Sequence, residues 1–192
     1  YVLVKLEARF EERPLPRVSI IDMREQLKKG NRLALSLELR EDLGQCLKKG
    51  EQAMLFLNRR GYAGFVSCRS CGHVMKCPHC DVSLREHNGR KLICHYCGYE
   101  TVKPDKCPVC SSPYIGGFKA GTQQIQQVVE KEFPEARVLR MDYDTTRAKG
   151  SYEKILSAFS RHEADILIGT QMIVKGHDFP DVTLVGILAA DL

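Results

Sequence analysis

No apolar run in this sequence approaches the roughly 20 residues needed to span a bilayer, and the chain opens with YVLVKLEARFEERP rather than a basic start followed by an apolar stretch. Both absences point to a soluble chain without a signal peptide. An initiator Met is also lacking, and the sequence stops at LAADL just after an apolar run, which suggests a piece of a longer protein. There is no low-complexity tract, and nothing repeats apart from pairs of cysteines. With 43% apolar and 28% charged residues among 192, disorder is not the default. The chain is long enough for one full-sized domain and a small second unit.

Nine cysteines spread through a loop-rich chain would suggest a secreted disulfide scaffold. Here eight fall between Cys68 and Cys110 as four C-x-x-C pairs, while Cys46 stands alone in an amphipathic segment as a small buried apolar residue. That distribution indicates metal in a reducing compartment. The formal charge of +5 counts cysteines as neutral, and eight thiolates around two divalent ions would remove most of it, so charge alone says little about nucleic acid.

Residues 1–17 are basic and contain Pro14 and Pro16, which suits an extended lead-in. VSIID (18–22) is a short apolar, β-branched run. Residues 38–49 place Leu39, Leu43, Cys46 and Leu47 at helical spacing before Gly50, and QAMLFLN (52–58) reads as a buried strand. Beyond the cysteines, the pattern predicts helices over 121–133 and 151–162 and strands over 136–142, 164–170 and 182–188. Such alternation with short connections is an α/β fold, a parallel sheet with flanking helices. The expected division is a lead-in (1–17), an α/β lobe (18–66 and 111–192) and an inserted metal-binding unit (67–110).

The pairs are CRSC (68–71), CPHC (77–80), CHYC (94–97) and CPVC (107–110). Each suits a knuckle in which two thiolates bind one face of a tetrahedral ion, so two four-thiolate zinc sites are the natural sum. Gly72 and Gly98 follow two of the pairs, where a tight turn calls for positive φ. Between Cys80 and Cys94, apolar runs flank Asn88-Gly89, a strong hairpin signal that would bring CPHC beside CHYC. A nested arrangement follows, with Cys77, Cys80, Cys94 and Cys97 at one ion and Cys68, Cys71, Cys107 and Cys110 at the other. Adjacent and crossed pairings stay open at this level. His73, His79, His87 and His95 are set aside because eight thiolates already complete two sites, and iron–sulfur ligation is disfavoured by the four matched spacings. Few large apolar residues lie in this block, so metal is expected to supply most of its folding free energy, on the order of 10 kcal/mol or more per ion. Ten Lys and Arg against four Asp and Glu over 59–119, interleaved with aromatics, fit either a nucleic-acid surface or ordinary solvated charge.

ADILIGTQMIVKGHDFPDVTLVGIL runs from one apolar strand through a polar loop into another. Ligands of open α/β sheets bind beyond the carboxyl ends of strands, which is where Thr170, Gln171, Lys175, Gly176, His177 and Asp178 fall. Lys175 suits a phosphate, and Gly176 permits close backbone approach.

Taken together, LFLNRRGYAGFVSCRSCG, the four cysteine pairs, KAGTQQIQQVVEKEFPEARVLRMDYDTT and ILIGTQMIVKGHDFPDVTLVGILAADL resemble the primosomal protein N′ family, the bacterial replication-restart DNA helicases of superfamily 2. The likeness runs from about Glu51 to Leu192. It implies the second RecA-like lobe of a motor with a zinc-ribbon-like insertion, two Zn2+ in the nested order, and ATP hydrolysis coupled to 3′-to-5′ translocation on DNA. Implied partners are forked and single-stranded DNA, primosome accessory proteins, single-strand-binding protein and, indirectly, the replicative helicase, in the bacterial cytoplasm with the nucleoid. The resemblance sets Thr170, Gln171 and Lys175 near DNA, and Gly176 and Asp178 near the nucleotide cleft. No G-x-x-x-x-G-K-[ST] phosphate loop, acidic Mg2+-binding motif or final arginine motif is present. This chain alone is therefore expected not to hydrolyse ATP, with ATP and Mg2+ belonging to the complete protein. The alternative function is a zinc-ribbon module that docks DNA or protein without motor activity. A dithiol redox switch is disfavoured because metal-bound thiolates are poorly available.

Overall fold

In the computed structural model, which describes residues 15–57, 65–87, 90–117, 121–173 and 178–190, the chain has no regular structure over 15–21. Leu15, Val18 and Ile20 stay exposed, so the apolar run 18–22 enters no core. Asp22 ends that run by capping α1 (Met23–Lys28), its carboxylate accepting from the Arg24 N–H at 2.8 Å. This helix has no apolar stripe to announce it, because its buried residue is Gln26. The Gln26 amide donates to the Glu38 carboxylate, and its carbonyl accepts from the Leu37 N–H at 2.9 Å. Those bonds fasten α1 to the first turn of α2 (Leu37–Lys48), which Ser36 caps through the Leu39 N–H.

After α2 comes β1 (Gln52–Leu57), then five short strands in the cysteine-rich segment: β2 (Val66–Cys68), β3 (Arg85–His87), β4 (Lys91–Ile93), β5 (Glu100–Val102) and β6 (Ile115–Gly117). The α/β pattern then resumes with α3 (Thr122–Glu132), β7 (Val138–Met141), α4 (Ser151–Ser160), β8 (Ile166–Gly169) and β9 (Val182–Leu188). β1, β7, β8 and β9 form one parallel sheet in the order β7-β8-β1-β9, with Leu55 opposite Ile168 on one side and Gly186 on the other. Continuous apolar runs are what a strand covered on both faces needs, and all four residues of β8 are buried. One face packs Leu43 and Cys46 of α2 and Ile125 and Val129 of α3 against Leu55, Leu57, Ile166 and Ile168. The other packs Phe159 of α4 against Met141 and Leu167. At the start of β1 the buried Gln52 amide donates to the carbonyls of Phe159 (2.8 Å) and Ala164 (2.7 Å), tying the sheet to the turn after α4.

The cysteine-rich segment leaves the carboxyl end of β1 and returns at the amino end of α3. It builds its own pair of small antiparallel sheets, β2-β6 and β3-β4-β5. β3 and β4 pair with His87 opposite Lys91, the geometry of a hairpin whose Asn88-Gly89 turn lies outside the described residues. Val66, Leu84, Leu92 and Ile115 bury themselves among Cys68, Cys77, Cys94 and Cys107, an apolar core larger than the composition suggested. Among the described residues, no helix is long and apolar enough to cross a membrane.

Candidate functional site

The four C-x-x-C pairs share one backbone pattern. In each, the N–H of the first cysteine donates to the carbonyl five residues on: Cys68 to His73, Cys77 to Val82, Cys94 to Tyr99 and Cys107 to Ser112, all at 2.8 Å. The residue four positions on donates back to the first cysteine's carbonyl, Gly72 to Cys68, Asp81 to Cys77, Gly98 to Cys94 and Ser111 to Cys107. That fourth residue always has positive φ, 80° at Gly72, 76° at Gly98, 55° at Asp81 and 57° at Ser111. The two glycines are the residues expected there; Asp81 and Ser111 show that the knuckle imposes the left-handed turn even where a Cβ opposes it.

These knuckles meet in the nested order. Cys68, Cys71, Cys107 and Cys110 form one tetrad and Cys77, Cys80, Cys94 and Cys97 the other, with the sulfurs of each tetrad within 4.8 Å of one another. Sulfur separations are 3.6 Å for Cys68–Cys110, 3.7 Å for Cys71–Cys107 and 3.6 Å for Cys77–Cys97. A tetrahedral zinc with Zn–S bonds of about 2.3 Å requires its sulfurs about 3.8 Å apart, so both tetrads fit two Zn2+. Sulfurs in a disulfide would lie at about 2.0 Å. Among the described residues, no histidine joins either tetrad: His79 packs edge-on against Tyr99, and His87 and His95 face each other with their Nε2 atoms 2.8 Å apart.

Within each tetrad the thiols are pushed in opposite directions. Burial pushes the Cys68 thiol up, but the N–H groups of Cys71 and Ser70 and the thiols of Cys110 and Cys71 outweigh it and bring it down to about 6. The N–H of Cys97 leads the same effect at Cys94, lowered to about 7. Neighbouring thiols move the other way: the Cys97 thiol leads in holding Cys80 up at about 12, and at Cys110 the Ser112 N–H lowers the thiol but burial and the thiols of Cys71, Cys68 and Cys107 outweigh it and raise it to about 12. Four sulfurs this close cannot all ionise without a cation, and a divalent ion replaces the shared protons.

At the carboxyl rim of the parallel sheet, a second cluster forms where β7 and β8 end. Asp142, just beyond β7, is buried and accepts hydrogen bonds from the Thr122 hydroxyl in the first turn of α3 and from the Thr145 N–H (3.0 Å), with Arg140 3.2 Å away. Burial pushes its carboxyl up, but these partners prevail and hold it below the usual range. Beyond β8, Thr170 is half-buried and Gln171 opens a single 3-10 turn, Gln171–Ile173. Asp178 is exposed, and the neighbouring Phe179 packs edge-on against Phe159 at 5.1 Å between centroids. Lys175, Gly176 and His177 lie outside the described residues.

Residues 77–101 match the family model described as the PriA DNA helicase Cys-rich region (CRR) domain. Across its entire length the chain is 55% identical to the replication restart protein PriA of Bacillus subtilis, covering 24% of that relative. Over 98% of its length it is 50% identical to PriA of Synechocystis, covering 23% of that protein, and over all of it 40% identical to PriA of Chlamydia pneumoniae, covering 26%. The chain is a PriA-family segment. It spans about a quarter of the length of these relatives.

Side chains of α1 and of the turn after it seat the outer tetrad of this PriA-family segment. The Arg24 guanidinium of α1 packs on Gly72, where an added Cβ would lie 3.4 Å from Nη1. Arg69, inside the first knuckle, donates to the Arg32 carbonyl at 3.3 Å, and the Arg32 guanidinium lies over the Tyr114 ring, 5.5 Å from its centroid. The segment joining α1 to α2 is thus a cradle for one zinc knuckle. No motif advertises it, because single arginines on short polar elements carry no periodic signal. Thr122–Asp142 was equally hidden, its partners twenty positions apart.

Proposed function

We propose that the chain is the second RecA-like lobe (18–66 and 111–192), with its zinc-binding insertion (67–110), of an ATP-dependent 3′-to-5′ DNA helicase that recognises stalled or abandoned replication forks and initiates primosome assembly. The observation that carries the reading is the joining of two tetrahedral-sized cysteine tetrads to the carboxyl rim of a parallel α/β sheet, in a chain similar to PriA over its whole length. In this reading the eight cysteines hold two Zn2+, which fix the insertion's fold. Thr170, Gln171 and Lys175 contact the DNA backbone, and Gly176 and Asp178 border the nucleotide cleft. ATP and Mg2+ are held largely by residues outside this segment, which has no phosphate loop. The partners follow from the activity: forked and single-stranded DNA, primosome accessory proteins and single-strand-binding protein, in the bacterial cytoplasm.

The test is ATP hydrolysis by the complete parent protein on forked DNA against blunt duplex. Turnover that depends on the fork, and that Lys175→Ala or Asp178→Ala lowers at least about tenfold, supports the motor, since removing one positioning or charge-stabilising group costs on that order. No turnover on any DNA overturns it in favour of a zinc-ribbon docking platform. The exposed Tyr96, beside the inner tetrad, favours that second reading as an anchor for a partner.

A further inference from the structure

On the carboxyl rim, the loop 142–150 that follows β7 was assigned no role by its sequence. We propose that Tyr143 and Arg147 form a stacking platform for an unpaired base of single-stranded DNA; the inference rests on the motor reading above and deepens it. Tyr143 keeps 74% of its surface exposed even though the Arg147 guanidinium lies over its ring, 5.0 Å from the centroid. The Asp144 carboxylate lies beside it, 3.2 Å from Arg147 Nη2. A ring with a cation over one face is ready for the base–aromatic and cation–π contacts that single-strand binders use, and every base offers a π-face to it.

An exposed tyrosine on a loose loop would carry little. This one is rooted immediately beside a buried anchor. The Asp142 N–H donates to Thr145 Oγ1 (2.9 Å), the Thr145 N–H donates to Asp142 Oδ1 (3.0 Å), and Thr146 Oγ1 donates to the Asp142 carbonyl (2.7 Å). Thr122 pins the same carboxylate to the amino end of α3. Thr146 Oγ1 also lies 3.7 Å from Met172 Sδ, inside the 3-10 turn that begins at Gln171. The Tyr143 loop and the Thr170–Gln171 loop therefore leave adjacent parallel strands on the ligand-binding rim and touch each other. A strand of DNA whose phosphates meet Thr170 and Gln171 would run beside the loop that carries Tyr143, because Thr146 of that loop touches Met172 of the next. Arg147 and Lys149 add positive charge there, and Asp142 acts as a positioning residue through the loop.

The experiment measures binding of the complete parent protein to oligodeoxythymidylate, together with the KM for ATP. Tyr143→Ala and Arg147→Ala should each weaken binding about five- to thirtyfold, the effect expected for losing one base–aromatic contact, while Tyr143→Phe binds as the unaltered protein does. Zinc content and thermal midpoint should stay unchanged, because the ring is exposed. If Tyr143→Ala binds normally while Gln171→Ala weakens binding, the platform is overturned and the DNA-binding rim stands. Normal binding by both variants overturns the rim itself and the platform with it. A raised KM for ATP with unchanged DNA binding overturns the assignment by giving the ring to the nucleotide's base.

Discussion

Cys68 Sγ and Cys110 Sγ lie 3.6 Å apart although 42 residues separate them, and the second tetrad sits wholly inside that loop. Each tetrad draws its four sulfurs from two knuckles of its own, so the two ions are held by separate ligand sets. Replacing Cys107 and Cys110 together by Ala should therefore remove one zinc of two, leaving the inner site filled. Metal analysis of the purified protein checks this. Loss of both ions would mean that the inner hairpin cannot hold its knuckles together without the outer one.

The left-handed residue that follows each knuckle gives a second prediction. Gly98 has φ 76° with no atom within 4 Å of the place a Cβ would take, so Gly98→Val meets backbone strain rather than a clash. It should lower stability by about 1–2 kcal/mol. Asp81 already bears a comparable strain at φ 55°, and Asp81→Gly should be neutral or slightly stabilising despite losing the ion pair to Lys76, which is exposed and worth little. Thermal unfolding of the zinc-loaded protein separates the two. A destabilising Asp81→Gly would show that the carboxylate, not the turn, matters there.

Much of this architecture was legible because it repeats or alternates. β1 and β8 are continuous apolar runs, as strands covered on both faces need, and β9 was legible as an apolar run although it alternates buried Gly186 and Leu188 with exposed Val185 and Ile187. The knuckles were legible because metal demands a fixed spacing, and the nested pairing because Asn88-Gly89 marks a turn. What stayed hidden depends on single polar side chains meeting across the chain. Gln26 in place of an apolar residue hid α1, and the seat of Gly72 beneath Arg24 depends on side-chain reach rather than period. Val18 and Ile20 belong to a short apolar run yet lie exposed, so apolar character alone does not mark the core there.

Arg137 and Asp165 link the start of β7 to the start of β8, with Nη2 2.6 Å from Oδ1. The guanidinium hydrogen bond is the chief reason that the Asp165 carboxyl is held below its ordinary value. A depressed carboxyl stabilises the fold at pH values above its unfolded pKa of about 4, and that contribution disappears as pH falls through the lower folded value. Arg137→Ala should cost up to about 1 kcal/mol at neutral pH, given the exposure of the arginine, and nothing once Asp165 is protonated in both proteins. Urea titrations across acid pH read the difference. A cost that persists undiminished at the acid end would assign it to lost packing of the arginine stem instead of the ion pair.

Gly169 joins the sheet's packing to the proposed DNA-binding rim. A Cβ there would stand 2.6 Å from the Met141 carbonyl oxygen and 2.5 Å from Ile173 Cγ2. The first neighbour is backbone of the adjacent strand and cannot move away without breaking the pairing of Met141 with Gly169. The second belongs to the 3-10 turn that begins at Gln171. Gly169→Ala should therefore cost about 1–3 kcal/mol as overpacking and displace the turn that carries Gln171 and touches Thr146. In the complete protein, DNA-stimulated ATP turnover measured well below the unfolding temperature should fall further than the lost stability explains, because the turn's geometry is the quantity disturbed. Adding Ile173→Ala relieves the side-chain contact but not the carbonyl, so it should restore turnover only in part. Full restoration would place the whole effect in the Ile173 contact, and unaltered turnover in Gly169→Ala would separate this turn from the motor's DNA coupling.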